Sequence, residues 1–246
     1  EIDLQHYFKQ EIDERTIRKD FNLNLIKHTL NRIDLFTVEE TAKLNELQQV
    51  YQKKIALLNA REYKADLEKL AIDLSWKSSQ IEGNTYSLLE TERLLLDKET
   101  AAGKTKDEAV MLLNHKDAID FLVENKDYVK PLLLSAIEDI HSLLTKELGV
   151  ERNIRRRSVA ISGTNYRPLD NEFHIKEAMQ EMCGLINLKE NVFEKALLVL
   201  LLISYIQPFN DGNKRTSRIV SNAILMVNNC CPLSFRTVDS LDYKKA

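Results

Sequence analysis

Only six glycines and four prolines punctuate the 246 residues, about 4% of positions where average usage is roughly 12%. A sandwich or barrel of this length needs a turn every eight to twelve residues or so, and most such turns draw on Gly, Pro, Asn or Asp. The scarcity therefore argues against an all-β fold and for long, uninterrupted helices. With 43% apolar and 30% charged residues, the chain can bury a sizeable core in one or two domains.

Periodicity supports the same class. Thr37-Val-Glu-Glu40 is a capping box, and Leu44, Leu47, Tyr51, Ile55 and Leu58 follow at helical spacing, which predicts a helix over 38–58. Leu67, Leu70, Ala71 and Leu74 continue the spacing into a second helix ending near Gly83. Ser87-Leu-Leu-Glu90 and Thr105-Lys-Asp-Glu108 are further boxes, each opening a helix. Pro131 suits a first helical turn, with Leu134, Ile137, Ile140 and Leu144 carrying that helix toward a left-handed cap at Gly149. The period then changes. Val159, Ile161 and Tyr166 flank Ser162-Gly163-Thr164-Asn165, which predicts a small β-hairpin over 157–167. Helices over 171–188 and 192–206 follow, the second apolar enough to imply burial on every side. The expected architecture is all-α, with residues 1–100 as a helical extension and 101–246 as the core domain.

Charge names no partner, because 35 Lys and Arg against 38 Asp and Glu leave a net charge of only −3; neither a nucleic-acid nor a membrane surface is expected. Cys183, Cys230 and Cys231 are odd in number, which fits a reducing cytoplasm better than a disulfide framework. The most apolar run, Ala196–Ile203, is far shorter than the ~20 residues that cross a bilayer. No signal peptide opens the chain, and its charged ends read as those of a segment from a longer protein.

One segment carries chemistry. Gln207-Pro-Phe-Asn-Asp-Gly-Asn-Lys-Arg-Thr-Ser-Arg218 joins the apolar helix to another bearing Ile219, Ala223, Leu225 and Met226. Asp211-Gly212-Asn213 offers a turn whose backbone N–H groups converge at a helix start, the geometry of an anion cradle. Lys214, Arg215 and Arg218 add cationic donors, and Asp211 is a hard oxygen donor able to hold Mg²⁺ on bound phosphates. The plain alternative is a polar loop with solvated charges, but three cations at the positive end of a helix dipole argue for an anion.

The segment resembles the Fic family motif, His-x-Phe-x-Asp/Glu-Gly-Asn-Gly/Lys-Arg-x-x-Arg, matched at Phe209, Asp211, Gly212, Asn213, Lys214, Arg215 and Arg218, with Gln207 in place of the histidine. Upstream, Ser78-Ser-Gln-Ile-Glu82-Gly83 resembles the family's inhibitory motif. The resemblance implies a helical core over roughly 100–230 and transfer of AMP from ATP to a Ser, Thr or Tyr hydroxyl of a protein target. It implies that Asp211 holds Mg²⁺, that Gly212, Asn213, Lys214 and Arg215 bind phosphates, and that Arg218 holds either the γ-phosphate or the inhibitory Glu82. The hairpin, with Ile161, Ser162, Gly163 and Thr164, resembles the flap that aligns the target by strand addition. Family members often dimerise, so a homodimer is a further expectation.

Gln207 departs from the family where the general base stands. A carboxamide has no basic site near pH 7, and general-base catalysis is typically worth about 10² to 10⁴ in rate. Impaired transfer, a non-catalytic ATP-binding module, and a phosphotransferase of the Doc type suggested by Lys214 are the three readings this leaves. Outside the motif, His141 reads as a core histidine, Arg155-Arg156-Arg157 as a solvated charge run, and Trp76 as an anchor for the inhibitory helix. His174 follows the predicted flap and is a weaker candidate for the site.

Overall fold

The computed structural model describes residues 6, 9, 10, 14, 20–159, 161 and 166–245. After a π-helical turn at Leu25–Thr29 come α1 (Val38–Ala56), α2 (Ala60–Ile81), α3 (Leu88–Asp97), α4 (Lys106–Glu124) and α5 (Leu134–Thr145). Then follow α6 (Glu172–Leu188), α7 (Val192–Ile206), α8 (Asn213–Val227) and the short α9 (Ser240–Lys245). The all-α class is observed, with no sheet among the described residues.

The starts of these helices are written in the chain. Thr37, Ser87 and Thr105 each accept from the backbone N–H three residues on, while Glu40, Glu90 and Glu108 reach back to the cap's own N–H. Each such cap stabilises its helix by about 1 kcal/mol. Asn59 and Glu62 form a fourth box, opening α2.

Packing centres on α7, which lies along α8 and α6, while α5 bridges α4 and α8, and α2 lies on α4. Ile137, Ile140, Met179, Val199, Ile203 and Val220 meet in one core, where fully burying each such side chain is worth about 1.5–3 kcal/mol. Ala71 and Leu74 of α2 and Ile26 of the π-helical turn join it. Both α2 and the π-helical turn are thus packed into the same interior as the motif.

Three expectations change, and a fourth, the hairpin, falls in part outside the described residues. The helix after Pro131 begins only at Leu134, because Asn187 pins the preceding strand-like stretch by accepting from Leu132 N–H and donating to its carbonyl, both at 2.9 Å. It ends at Thr145; Gly149 is left-handed as expected (φ +69°) but lies beyond the helix end. The apolar helix α7 is not buried all round, since α6 and α8 leave Leu201 54% exposed. The hairpin's turn, Ser162, Gly163, Thr164 and Asn165, lies outside the described residues, and no ladder joins its described flanks. Those flanks are tied elsewhere: Arg155 N–H donates to Pro208 carbonyl at 2.9 Å, the Tyr166 hydroxyl donates to Tyr205 carbonyl at 2.7 Å, and Arg167 makes an isolated bridge with Asp20. Arg155 itself is no solvated charge. It is fully buried, donating to the carbonyls of Gln207 (2.6 Å), Arg157 (2.7 Å) and Leu169.

Candidate active site

The loop between α7 and α8 is held in shape from within. Gln207 ends α7 in the left-handed region (φ 53°, ψ 59°), and its side-chain amide donates to Ser204 carbonyl at 2.6 Å while its oxygen accepts from Asn213 Nδ2 at 3.0 Å. Asn213 staples the loop a second time, with Oδ1 accepting from Phe209 N–H and Nδ2 donating to Phe209 carbonyl. Phe209 is fully buried and stacks on His141 of α5, ring centroids 3.7 Å apart. His141 Nε2 donates to Asp211 carbonyl at 2.9 Å. Burial lowers the His141 pKa to about 4, opposed by that carbonyl and assisted by Arg215, so the ring is a neutral strut at pH 7.

Gly212 precedes α8 at φ +81°, ψ 0°, a conformation that L side chains resist. A Cβ there would lie 3.1 Å from Thr145 Cγ2 and 3.3 Å from His141 Cδ2. Glycine therefore serves both the backbone turn and the close approach to α5. It also gives α8 no side-chain cap, leaving the first amides of that helix to point at the turn, where their N–H groups and the helix dipole would stabilise an anion.

Two guanidiniums stand behind this turn. Arg215 is 2% exposed and donates to Asp211 Oδ2 at 3.0 Å, while Arg218 is fully buried. Each keeps one buried Nη1 without a hydrogen-bond partner, and a buried cation with an unanswered donor calls for an anion. Burial pushes the Arg215 pKa below its usual value, with Asp211 and Glu82 opposing. Lys214, half-buried, lies beside them.

Arg218 is engaged by α2. Its Nε donates to Ser78 Oγ at 2.9 Å, and its Nη2 donates to Ser78 carbonyl at 3.1 Å and to Glu82 Oε1 at 2.7 Å. Glu82 caps the C-terminus of α2, and Gly83 follows at φ +100° to turn the chain away. Trp76 Nε1 donates to Tyr86 carbonyl at 3.1 Å, bracing the exit of α2. The structure thus brings Ser78 and Glu82 onto the last arginine of the motif, 140 and 136 residues away in sequence.

Asp211 places a carboxylate at the cradle itself, its side chain 69% exposed and half-committed to Arg215. Among the described residues no three His, Cys, Asp or Glu side chains gather as a metal cage. One carboxylate fits Mg²⁺ that arrives with phosphate oxygens, since this ion is usually held by one or two carboxylates together with substrate and water.

Sequence reading missed three neighbours. His115 is fully buried and bonds Ser78 Oγ at 2.9 Å; Arg155 holds the carbonyl of Gln207; and the Tyr243 ring of α9 lies 5.5 Å from the Arg218 guanidinium. His115 sits in an ordinary amphipathic helix and Arg155 in a basic run, so no local pattern marks either. His174 is exposed on the first turn of α6.

Residues 131–225 match the model of the Fic/DOC family. The chain is 30% identical over 179 residues to the protein adenylyltransferase Fic of Nematostella vectensis, covering 68% of this chain and 40% of that protein. It is 26% identical over 212 residues to the Culex quinquefasciatus protein of the same description, covering 80% and 41%. The chain therefore spans about two-fifths of the length of these curated relatives. A Fic-domain signaling protein from Bacteroides thetaiotaomicron has the same fold, with a TM-score of 0.70 at 20% identity over 81% of this chain and 78% of that one. A Fic family protein from Desulfovibrio desulfuricans aligns with a TM-score of 0.65 at 18% identity, covering 93% and 66%.

Proposed function

The chain belongs to the Fic/DOC family through residues 131–225, and from that premise we propose that it is a nucleotide-binding protein adenylyltransferase, autoinhibited by Glu82 and impaired in transfer by Gln207. The observation that carries this reading is the clamp on Arg218, whose guanidinium pairs with Glu82 while presenting a free Nη1. An arginine in that position holds the terminal phosphate of ATP, and a carboxylate on it competes for the same donors. Arg215 and the first amides of α8 supply the remaining anion contacts, with Asp211 as the residue that would hold Mg²⁺. Bound Mg²⁺ would neutralise phosphate charge as it develops.

Transfer joins the target's hydroxyl oxygen to the α-phosphorus, expels pyrophosphate and releases the hydroxyl proton. Gln207 cannot take that proton, and its amide is already committed to Ser204 and Asn213. That commitment favours the second reading, an ATP-binding regulatory module with the fold of an enzyme. The three free thiols fit a cytoplasmic setting for either.

Incubation of the protein and of Glu82→Gly, each with and without Gln207→His, using α-labelled and then γ-labelled ATP, separates these readings. Glu82→Gly is expected to tighten ATP binding by roughly 10- to 100-fold, the worth of a charge-assisted bond. Adding Gln207→His is expected to raise α-label transfer by roughly 10² to 10⁴. Unchanged ATP affinity in Glu82→Gly would remove the inhibitory role; binding without label in every variant would favour the module; label from the γ-phosphate alone would indicate a phosphotransferase.

A further inference from the structure

We propose that His115 is the positioning residue of the inhibitory clamp: its neutral ring fixes the Ser78 hydroxyl so that the oxygen lone pairs face Arg218. The proposal rests on the autoinhibited reading above and says how the clamp is kept in register. His115 lies on α4, whose face packs against α2. Its Nδ1 is 3.1 Å from the carbonyl of Met111, one turn back. A carbonyl only accepts, so Nδ1 carries the proton, and in a neutral ring Nε2 is then the acceptor. Nε2 lies 2.9 Å from Ser78 Oγ, which must therefore donate its hydroxyl proton to the ring. With the proton so placed, Oγ is left as an acceptor and takes the Nε–H of Arg218 at 2.9 Å.

The relay Met111 carbonyl, His115, Ser78, Arg218 has one consistent direction, with every donor facing an acceptor. All three side chains are fully buried, so no solvent competes for the hydroxyl. Burial holds the ring neutral, its pKa lowered to about 3, with Arg215 and Arg218 both acting against a second positive charge. Without an acceptor at 115 the Ser78 hydroxyl is free to rotate its proton toward the guanidinium, turning one contact of the clamp from attractive to repulsive. Glu82 supplies the charge that holds Arg218, and Ser78 supplies a direction that His115 sets.

Two measurements on the 246-residue chain test this. Long-range ¹H–¹⁵N correlation on the His115 ring at pH 7 should show a protonated Nδ1 and a pyridine-like Nε2. Calorimetry with ATP should show His115→Phe binding roughly three- to tenfold tighter than the parent, the net worth of one hydrogen bond. Ser78→Ala should match it, the double variant should add nothing further, and His115→Gln, which can still accept from Ser78, should bind like the parent. An Nε2–H tautomer or an imidazolium would overturn the proposal, and that result is readable even if His115→Phe does not fold. So would additive effects of His115→Phe and Ser78→Ala, or a Gln variant that behaves like Phe. If Glu82→Gly tightens ATP binding while His115→Phe and Ser78→Ala do not, the inhibitory reading stands and the role of His115 falls. If Glu82→Gly has no effect, both fall.

Discussion

Gln207 has two separable consequences. Chemically it lacks a base; structurally it is a staple, because its amide closes the end of α7 against Ser204 and receives Asn213 from the start of α8. Gln207→Ala strips both bonds and leaves the Ser204 carbonyl and one Asn213 N–H without that partner, a loss of about 1–2 kcal/mol. For a chain of this size the expected fall in Tm is roughly 2–8 °C, read by thermal melts. An unchanged Tm would mean that these groups find other partners and that the amide is not a staple. Glycine at 212 is fixed by a different constraint: both its positive φ and the 3.1 Å approach of Thr145 act against any side chain there, so the turn tolerates change at 207 better than at 212.

At the scale of elements, the proposed inhibitory segment is braced through the Gly83–Ser87 stretch beyond α2 as well as by α2 itself. Glu108, the third residue of α4, closes its own capping box and also accepts from Thr85 N–H at 2.8 Å and Thr85 Oγ1 at 2.6 Å. These bonds, the Thr85 hydroxyl first, hold its carboxyl down to about 2. Glu108→Gln should free the Gly83–Ser87 stretch, raising hydrogen exchange at Thr85 and Tyr86 by up to about tenfold while leaving α7 and α8 unchanged; equal exchange would show that the other bonds there, from Trp76 to Tyr86 carbonyl, from Asn84 to Glu108 carbonyl and from Lys104 to Thr85 carbonyl, brace the turn without that carboxylate. Helix starts of this kind were legible in the chain, because a capping box is a local pattern and Thr37, Ser87 and Thr105 each carry it. The motif residues were legible for the same reason, since Asp211 through Arg218 are contiguous. What decides the site across distance was not. Nothing near Leu132 announces that Asn187 will hold it extended, nothing in Arg155-Arg156-Arg157 marks the first as buried beneath Gln207, and His115 meets Ser78 only once α4 lies on α2.

At the scale of the whole molecule, α2 and the family-matched helices share one interior, and two histidines are buried near the arginine pair. His115 faces Arg215 and Arg218, and His141 faces Arg215 and Asp211. Both are neutral in the folded chain, with pKa values lowered from 6.5 to about 3 and about 4, chiefly by burial. The unfolded chain protonates both near 6.5, so below that pH it binds more protons than the folded chain, and stability falls as acid is added. The contribution is complete above pH 6.5 and is lost progressively as pH drops toward the folded values. Each histidine supplies a slope of up to about 1.4 kcal/mol per pH unit. Between pH 6.5 and 5, above the ordinary carboxylate range, urea unfolding should therefore show stability declining with an uptake that rises from about one proton to nearly two. His115→Gln should remove about half of it. A slope unchanged by that substitution would mean that His115 titrates near its ordinary value in the folded chain, and the clamp would then have to hold Arg218 against a neighbouring cation rather than beside a neutral ring.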